Sequence, residues 1–333
     1  MIRLISGVTL AMCLLATAAP QQAAAVAVSR DINEYVLFAF TEMNWKGGNS
    51  ATTGFVTGGN VGVNAVDPNP NDNTIPMSVG QNGKLIMSDG TQLVGDSMVF
   101  GPESNVWNLF VNFKHGSAGG VIRNGSPMTF TGPIIDPSNL PTLGFTPGRV
   151  ETATATDFDV AKNGSGFLAP GTYKDVQVKD GATLTLGAGI YDMRNFTAGQ
   201  NTTIIVTDAT VLQIDGEFRL GDGSAFGSPT DDHASILAGS LGMGHNDNTI
   251  RFGENVLVYG NFLAPFGALS FGRSVDAIGT FWGDRVVSDF NVNLTFNPNI
   301  PEIQQDEFIP EPATLALLAL AGAAGLRRRR RVA

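Results

Sequence analysis

Residues 171–178 read GTYKDVQV, 181–191 GATLTLGAGIY, 201–206 NTTIIV, 210–214 TVLQI and 216–223 GEFRLGDG. Apolar side chains fall on alternate residues: Val176 and Val178, Leu184 and Leu186, Ile204 and Val206, Leu212 and Ile214, Phe218 and Leu220. Successive side chains of a strand point to opposite faces, so this alternation turns one apolar face inward. Gly-containing breaks separate the runs, which predicts short strands joined by tight corners. Such strands build a sandwich, a barrel or a parallel solenoid. The phrase Asp180-Gly181-Ala182-Thr183-Leu184-Thr185-Leu186-Gly187 favours an all-β, irregular parallel β-solenoid, because stacked coils need tight corners and repeat their inward positions. Hairpin-type turns such as Asp215-Gly216 keep an antiparallel β-sandwich as the alternative.

Working outward, residues 228–248 form a polar loop, after which 248–253, 255–260, 268–272 and 277–282 supply further rungs. The stretch Val258-Tyr259-Gly260-Asn261-Phe262-Leu263-Ala264-Pro265, continued by Gly279-Thr280-Phe281-Trp282, resembles a segment of exported bacterial β-solenoid proteins of the choice-of-anchor type. That resemblance implies the fold and supplies no catalytic residue. Upstream, residues 29–40 (SRDINEYVLFAF) predict a short helix or first strand that covers one end of the fold. Alternating runs at 54–63, 84–87 and 98–100, and an apolar run at 107–113, predict more strands, with 67–73 (DPNPNDN) a loop. Prolines 127, 133, 137, 141 and 147 mark residues 126–148 as an extended segment crossing between two parts of one body, and as the candidate internal domain boundary.

The chain has 333 residues, 43% hydrophobic and only 15% charged, with 41 glycines spread along its length. That excludes global disorder and suits many turns. The formal net charge is −10, and the acidic excess grows when Arg3 and the five C-terminal arginines are set aside. Such a body is a poor partner for nucleic acid or anionic lipid, and compatible with cations or neutral polysaccharide. The one cysteine, Cys13, lies in the N-terminal apolar stretch, so the mature body is expected to hold no disulfide or cysteine-bound metal. Met12 before it does not suit lipidation.

The two ends carry targeting signals. Residues 1–27 have Arg3, an apolar middle and Ala-rich cleavage sites, as in a secretory signal peptide. After a body at 28–301 and a polar tether at 302–309, residues 310–333 begin Pro310-Glu311-Pro312. They continue through an apolar run at 313–326 and end on Arg327, Arg328, Arg329, Arg330 and Arg331. Fourteen apolar residues make a short membrane-spanning helix, and the arginines resist crossing a bilayer. The order of these parts resembles the PEP-CTERM sorting signal of exported bacterial proteins. The resemblance implies handling by an exosortase, with Pro310, Glu311 and Pro312 for recognition and the arginines for retention. It also implies delivery to the envelope, surface or extracellular matrix of a Gram-negative, exopolysaccharide-producing bacterium. Before processing, the C-terminal segment would hold the protein in the membrane.

Chemistry is sparse by comparison. Asp231-Asp232-His233 and His245-Asn246-Asp247 share one loop region, but their spacing fits no helix-borne zinc motif; His115 stands apart. The Asp-Gly pairs at Asp89, Asp180, Asp215 and Asp222 lack the calcium-binding nonapeptide and predict turns. No metal or cofactor is expected. A polysaccharide lyase or hydrolase would need paired carboxylates or a positioned base. Lys174, Lys179, Arg194, Arg219, Arg251, Arg273 and Arg285 form no such motif, and Asp284-Arg285 with Asp289, near a terminal rung, is the nearest approach. The third class is surface binding of glycan or ice through outward Thr183 and Thr185, with Thr202, Thr203 and Thr210. The expectation is a non-enzymatic structural or adhesive surface protein.

Overall fold

The computed structural model describes residues 32–46, 56–63, 155–227, 234–238 and 248–297, and the backbone of seven short strands between residues 77 and 123. Every strand pairing among these residues is parallel, including Thr183–Leu186 on Thr203–Val206 and Leu257–Phe271 on Asp276–Ser288. The antiparallel alternative is thereby excluded, and the solenoid stands. Asp215-Gly216 is a bend between two strands of one coil, not a hairpin.

Each coil has three faces. Face A carries residues 165–168, 183–186, 203–206, 225–226, 257–258, 276–278, 293–295 and 56–57. Face B carries 171–173, 189–193, 210–214, 234–238, 260–264, 279–283, 35–39 and 60–63. Face C carries 156–160, 175–178, 195–198, 218–220, 250–252, 268–271, 285–288 and 42–45. The ten alternating apolar residues named above are all buried inside. The lumen also holds an aromatic column. Phe196 stacks on Phe218 with centroids 5.1 Å apart, Phe262 stacks on Phe281 at 5.5 Å, and Phe252 meets Phe262 edge-on at 5.1 Å. Each such pair adds about 0.5–1.5 kcal/mol beyond its burial.

The corner from face C to face A repeats one device. Asn163, Gly181, Asn201, Gly223, Asn255, Ser274 and Asn291 all have φ between 55° and 69°. This left-handed conformation is tolerated by Gly and Asn, and it turns the chain within one residue. The first six of these amides donate to the next coil, as Asn201 N does to Asp222 O at 2.8 Å and Asn255 N to Arg273 O at 2.8 Å. Asp180-Gly181 and Asp222-Gly223 are thus the turns expected, with a further task. Asp180 Oδ1 accepts from Gln200 N at 3.0 Å, and Asp222 Oδ1 from Glu254 N at 2.8 Å, each one coil onward.

Two expectations need correction. Residues 29–40 do not cover an end. A 3-10 turn, Ile32–Glu34, leads into the strand Tyr35–Trp45, which lies mid-stack between Asp276–Ser288 on one side and Asn60–Val63 and Met77–Val79 on the other. Tyr35, Val36, Leu37, Phe38 and Ala39 are fully buried, because a strand paired on both sides can also be covered on both faces. Nor is 228–248 all loop: Ala234–Ala238 is a buried rung of face B.

The stack therefore does not follow the chain. Residues 155–297 wind to Asn293–Thr295 on face A. The faces B and C that complete this last coil come from Tyr35–Trp45, and Val56–Thr57 then stacks on Asn293–Thr295. One coil is thus composed from both ends of the described body. The stack continues outward through residues 60–63, 77–79 and 93–100 to 109–111 and 121–123. The Pro-rich segment 126–148 lies outside the described residues.

Candidate functional site

The composite coil is sealed by polar contacts. Arg285 Nη2 donates to Glu42 Oε1 at 3.3 Å, and its Nε lies 3.0 Å from Oε2 at an angle too bent for a hydrogen bond, so that contact is ionic. Lys46 Nζ is 3.7 Å from Asp289, Thr41 donates to Asp284 O at 2.8 Å, and Lys46 N donates to Ser288 Oγ at 3.0 Å. Asp284, Arg285 and Asp289 therefore sit at this seam rather than near a terminal rung, and they bond the N-terminal strand. On the outer side of face B, Trp282 joins Tyr35, Phe38, Leu237 and Leu263 in a second buried cluster. Its Nε1 donates to Tyr35 O at 2.9 Å. Gly62, in register with Phe38, leaves room for these rings, since a Cβ there would sit 2.7 Å from Tyr35 Cε1.

The edge between faces B and C carries a second polar set. Asp175 Oδ1 accepts from Arg194 Nε at 2.8 Å and from Asn195 Nδ2 at 2.9 Å, while Arg194 Nη2 donates to Oδ2. The Arg194 bond, helped by that of Asn195, holds the Asp175 carboxyl below its ordinary pKa. The bonds run from coil to coil: Asp157 Oδ1 accepts from Asp175 N at 3.3 Å, and Asn195 Oδ1 from Glu217 N at 3.0 Å. On the outer side of face B, burial and then the charge of Asp215 push the Asp192 carboxyl up. The carboxyls of Asp175 and Asp192 are thus driven in opposite directions, one by an ion pair and one by desolvation.

Face A carries the outward threonines. Its outer side presents the ladders Ser165, Thr183, Thr203 and Phe167, Thr185, Ile205. Phe167 is 64% exposed and Ile205 38%. Thr183 and Thr185 face outward as expected. Thr202 and Thr210 do not: both are buried in corners. Thr202 Oγ1 donates to Ser224 Oγ at 2.9 Å, and Thr210 Oγ1 to Asp208 O at 2.8 Å. They hold coils together and are removed from any surface array.

Of the remaining candidates, Lys179 donates to Gln177 and lies 3.8 Å from Asp159; Arg219 and Arg251 are exposed and in register on face C. His115, His233, His245, Asp231, Asp232, Asn246 and Asp247 lie outside the described residues, as do Asp89, Cys13, the signal peptide expected at 1–27 and residues 310–333. Among the described residues no group of three or more His, Cys, Asp or Glu is placed to hold a metal ion. No described helix is long and apolar enough to cross a membrane, and the short span expected at 313–326 is not among them.

No curated protein and no solved structure matches this chain. Residues 308–331 match the model of the PEP-CTERM protein-sorting motif, so the chain carries that signal and is an exported, envelope-associated protein sorted by exosortase-type machinery, with a β-solenoid body.

Proposed function

We propose that this protein is a non-enzymatic structural or adhesive component of the cell surface or extracellular matrix of a Gram-negative bacterium. The observation that carries the reading is the sorting motif at 308–331 on a body built as a stiff stack of coils. Face A suits adhesion to polysaccharide. Phe167 offers a ring on which the apolar face of a sugar stacks, with Ser165, Thr183 and Thr185 beside it to hydrogen-bond hydroxyls. Before processing, the apolar run and the arginines hold the C-terminus in the membrane.

The test pairs location with binding. Wild type is expected to lose mass after the Pro310-Glu311-Pro312 region and to reach the surface, whereas Glu311→Ala stays in the membrane fraction. The purified body should co-sediment with the organism's own exopolysaccharide, and Phe167→Ala should weaken this several-fold. If both proteins keep the tail, or if the body ignores the polysaccharide, the reading fails. A second reading, a polysaccharide lyase or hydrolase, draws on Asp192 and Asp215, where an acid of raised pKa stands beside a second carboxylate. Release of oligosaccharides by wild type and not by Asp192→Asn would favour it.

A further inference from the structure

The composite coil makes the two ends of the body complementary, and nothing in that seam requires them to belong to one chain. The C-terminal coils end in Asp276–Ser288 and Asn293–Thr295, whose free sides accept Tyr35–Trp45 and Val56–Thr57. The outward continuation, the described strands from Asn60–Val63 to Val121–Arg123, stacks on the strand that docks. Read along the axis, the described strands thus run from those between 155 and 297 to those between 35 and 123, an order the chain achieves only by returning from one end to the other. The strands Val121–Arg123 and Thr156–Val160 lie on the same face, separated by the pairings of face C. Those ten steps span about 48 Å at ~4.8 Å each. The intervening 124–155 reaches at most roughly 115 Å when extended. Its length therefore permits the return, and equally permits the N-terminal strands to dock on a neighbouring copy.

We infer that the seam also forms between copies: the N-terminal strands of one chain complete the last coil of the next, giving an open head-to-tail assembly. The partner is a second copy of this chain. A further observation fits. The swapped contact is the seam itself, with Trp282 against Phe38 and Arg285 against Glu42, so no new surface is needed. The choice between closing on itself and closing on a neighbour is then one of concentration. The tethered partner acts at an effective concentration in the millimolar range, so dilute protein closes alone and crowded protein swaps.

The test exploits the cysteine-free body. Glu42 and Arg285 are in register, as are Asn44 and Val287. Neighbouring strands at ~4.8 Å bring paired Cα atoms within the range a disulfide needs. The double variants Glu42→Cys/Arg285→Cys and Asn44→Cys/Val287→Cys, made in the mature body, would be unfolded, refolded over a hundredfold range of concentration, oxidised and run on non-reducing gels. Expected is a single-chain cross-link in dilute protein and a covalent ladder of dimers, trimers and higher species in concentrated protein, whose share rises roughly in proportion to concentration. A single-chain product alone at every concentration, from both variants, would overturn the inference. So would the absence of any cross-link in both, since the register at the seam would then be wrong. The readout needs neither export nor polysaccharide, so its failure is separable from failure of the proposed function.

Discussion

Replacing Trp282 by alanine should split the molecule at its seam. The indole is 1% exposed, in register with Phe38 on one side and Leu263 on the other, and its Nε1 holds the Tyr35 carbonyl at 2.9 Å. Emptying a buried Trp site costs about 3–5 kcal/mol. Leaving the Tyr35 carbonyl unpaired adds about 1 kcal/mol. Part of the cavity relaxes, so a net loss near 4 kcal/mol is expected, and it falls on the docking of the N-terminal strands rather than on the coils at 171–226. Hydrogen exchange followed by mass spectrometry separates these. At 1.4 kcal/mol per tenfold, protection over residues 35–45 should drop by nearly a thousandfold, while peptides from 183–220 keep theirs. Equal losses in both regions would show one indivisible cooperative unit. Unchanged protection at 35–45 would show that Trp282 does not hold the seam. Either result refutes the argument.

Two other outcomes are expected. Asn201 sits at φ 55°, so Asn201→Gly should leave Tm nearly unchanged, whereas Asn201→Val forces a branched residue into a conformation costing about 1–2 kcal/mol, or about 2–8 °C in Tm. Asp175 and Asp192 should respond to pH with opposite signs in thermal melts. The folded pKa of Asp175 is depressed, so its contribution is present above the ordinary carboxylate value and is lost as pH falls through the folded value. Asp175→Asn should therefore lower Tm at pH 7 and not below about pH 3. The folded pKa of Asp192 is raised, so its charge costs stability above that pKa and the cost is relieved as pH falls. Asp192→Asn should raise Tm at pH 7, and the gain should fade towards about pH 4.

The alternation of Leu184 and Leu186, or Ile204 and Val206, was legible because period 2 has one physical meaning in a strand with one buried face. The corner repeat was harder to see. Its left-handed position is filled by Asn, Gly or Ser, which are equivalent in conformation and unlike in letter, and its spacing runs from 17 to 32 residues. The signal was there in AGQNT, LGDGS, FGENV and FGRSV, each ending on a small or β-branched residue that turns inward. Strand Ala234–Ala238 was hidden by polar flanks, and its five buried residues show no alternation. The unbroken apolar run at 35–39 also lacks alternation, and for the same reason: both faces are covered. An unbroken run of this kind fits a central strand, which reading 29–40 as the cover of one end missed, and no local pattern names the strands it lies between. The order of coils along the axis is set by which edges are left unpaired once each half is wound, and this is a property of the assembled stack.

That order also bears on how the chain is handled. Val36 and Phe296 converge on the same spot, where a Cβ on Gly59 would lie 2.9 Å from each. The two ends of the described body thus leave from one coil in the middle of the stack. Were the chain stacked in sequence order, the ends of the described body would stand a full solenoid apart. With both ends at one coil, they leave side by side instead. The same arrangement means that the last coil cannot be completed until Asn293–Thr295 has been delivered. Folding of the seam is therefore tied to arrival of the segment just before the sorting signal, and until then the N-terminal strands remain available to another copy.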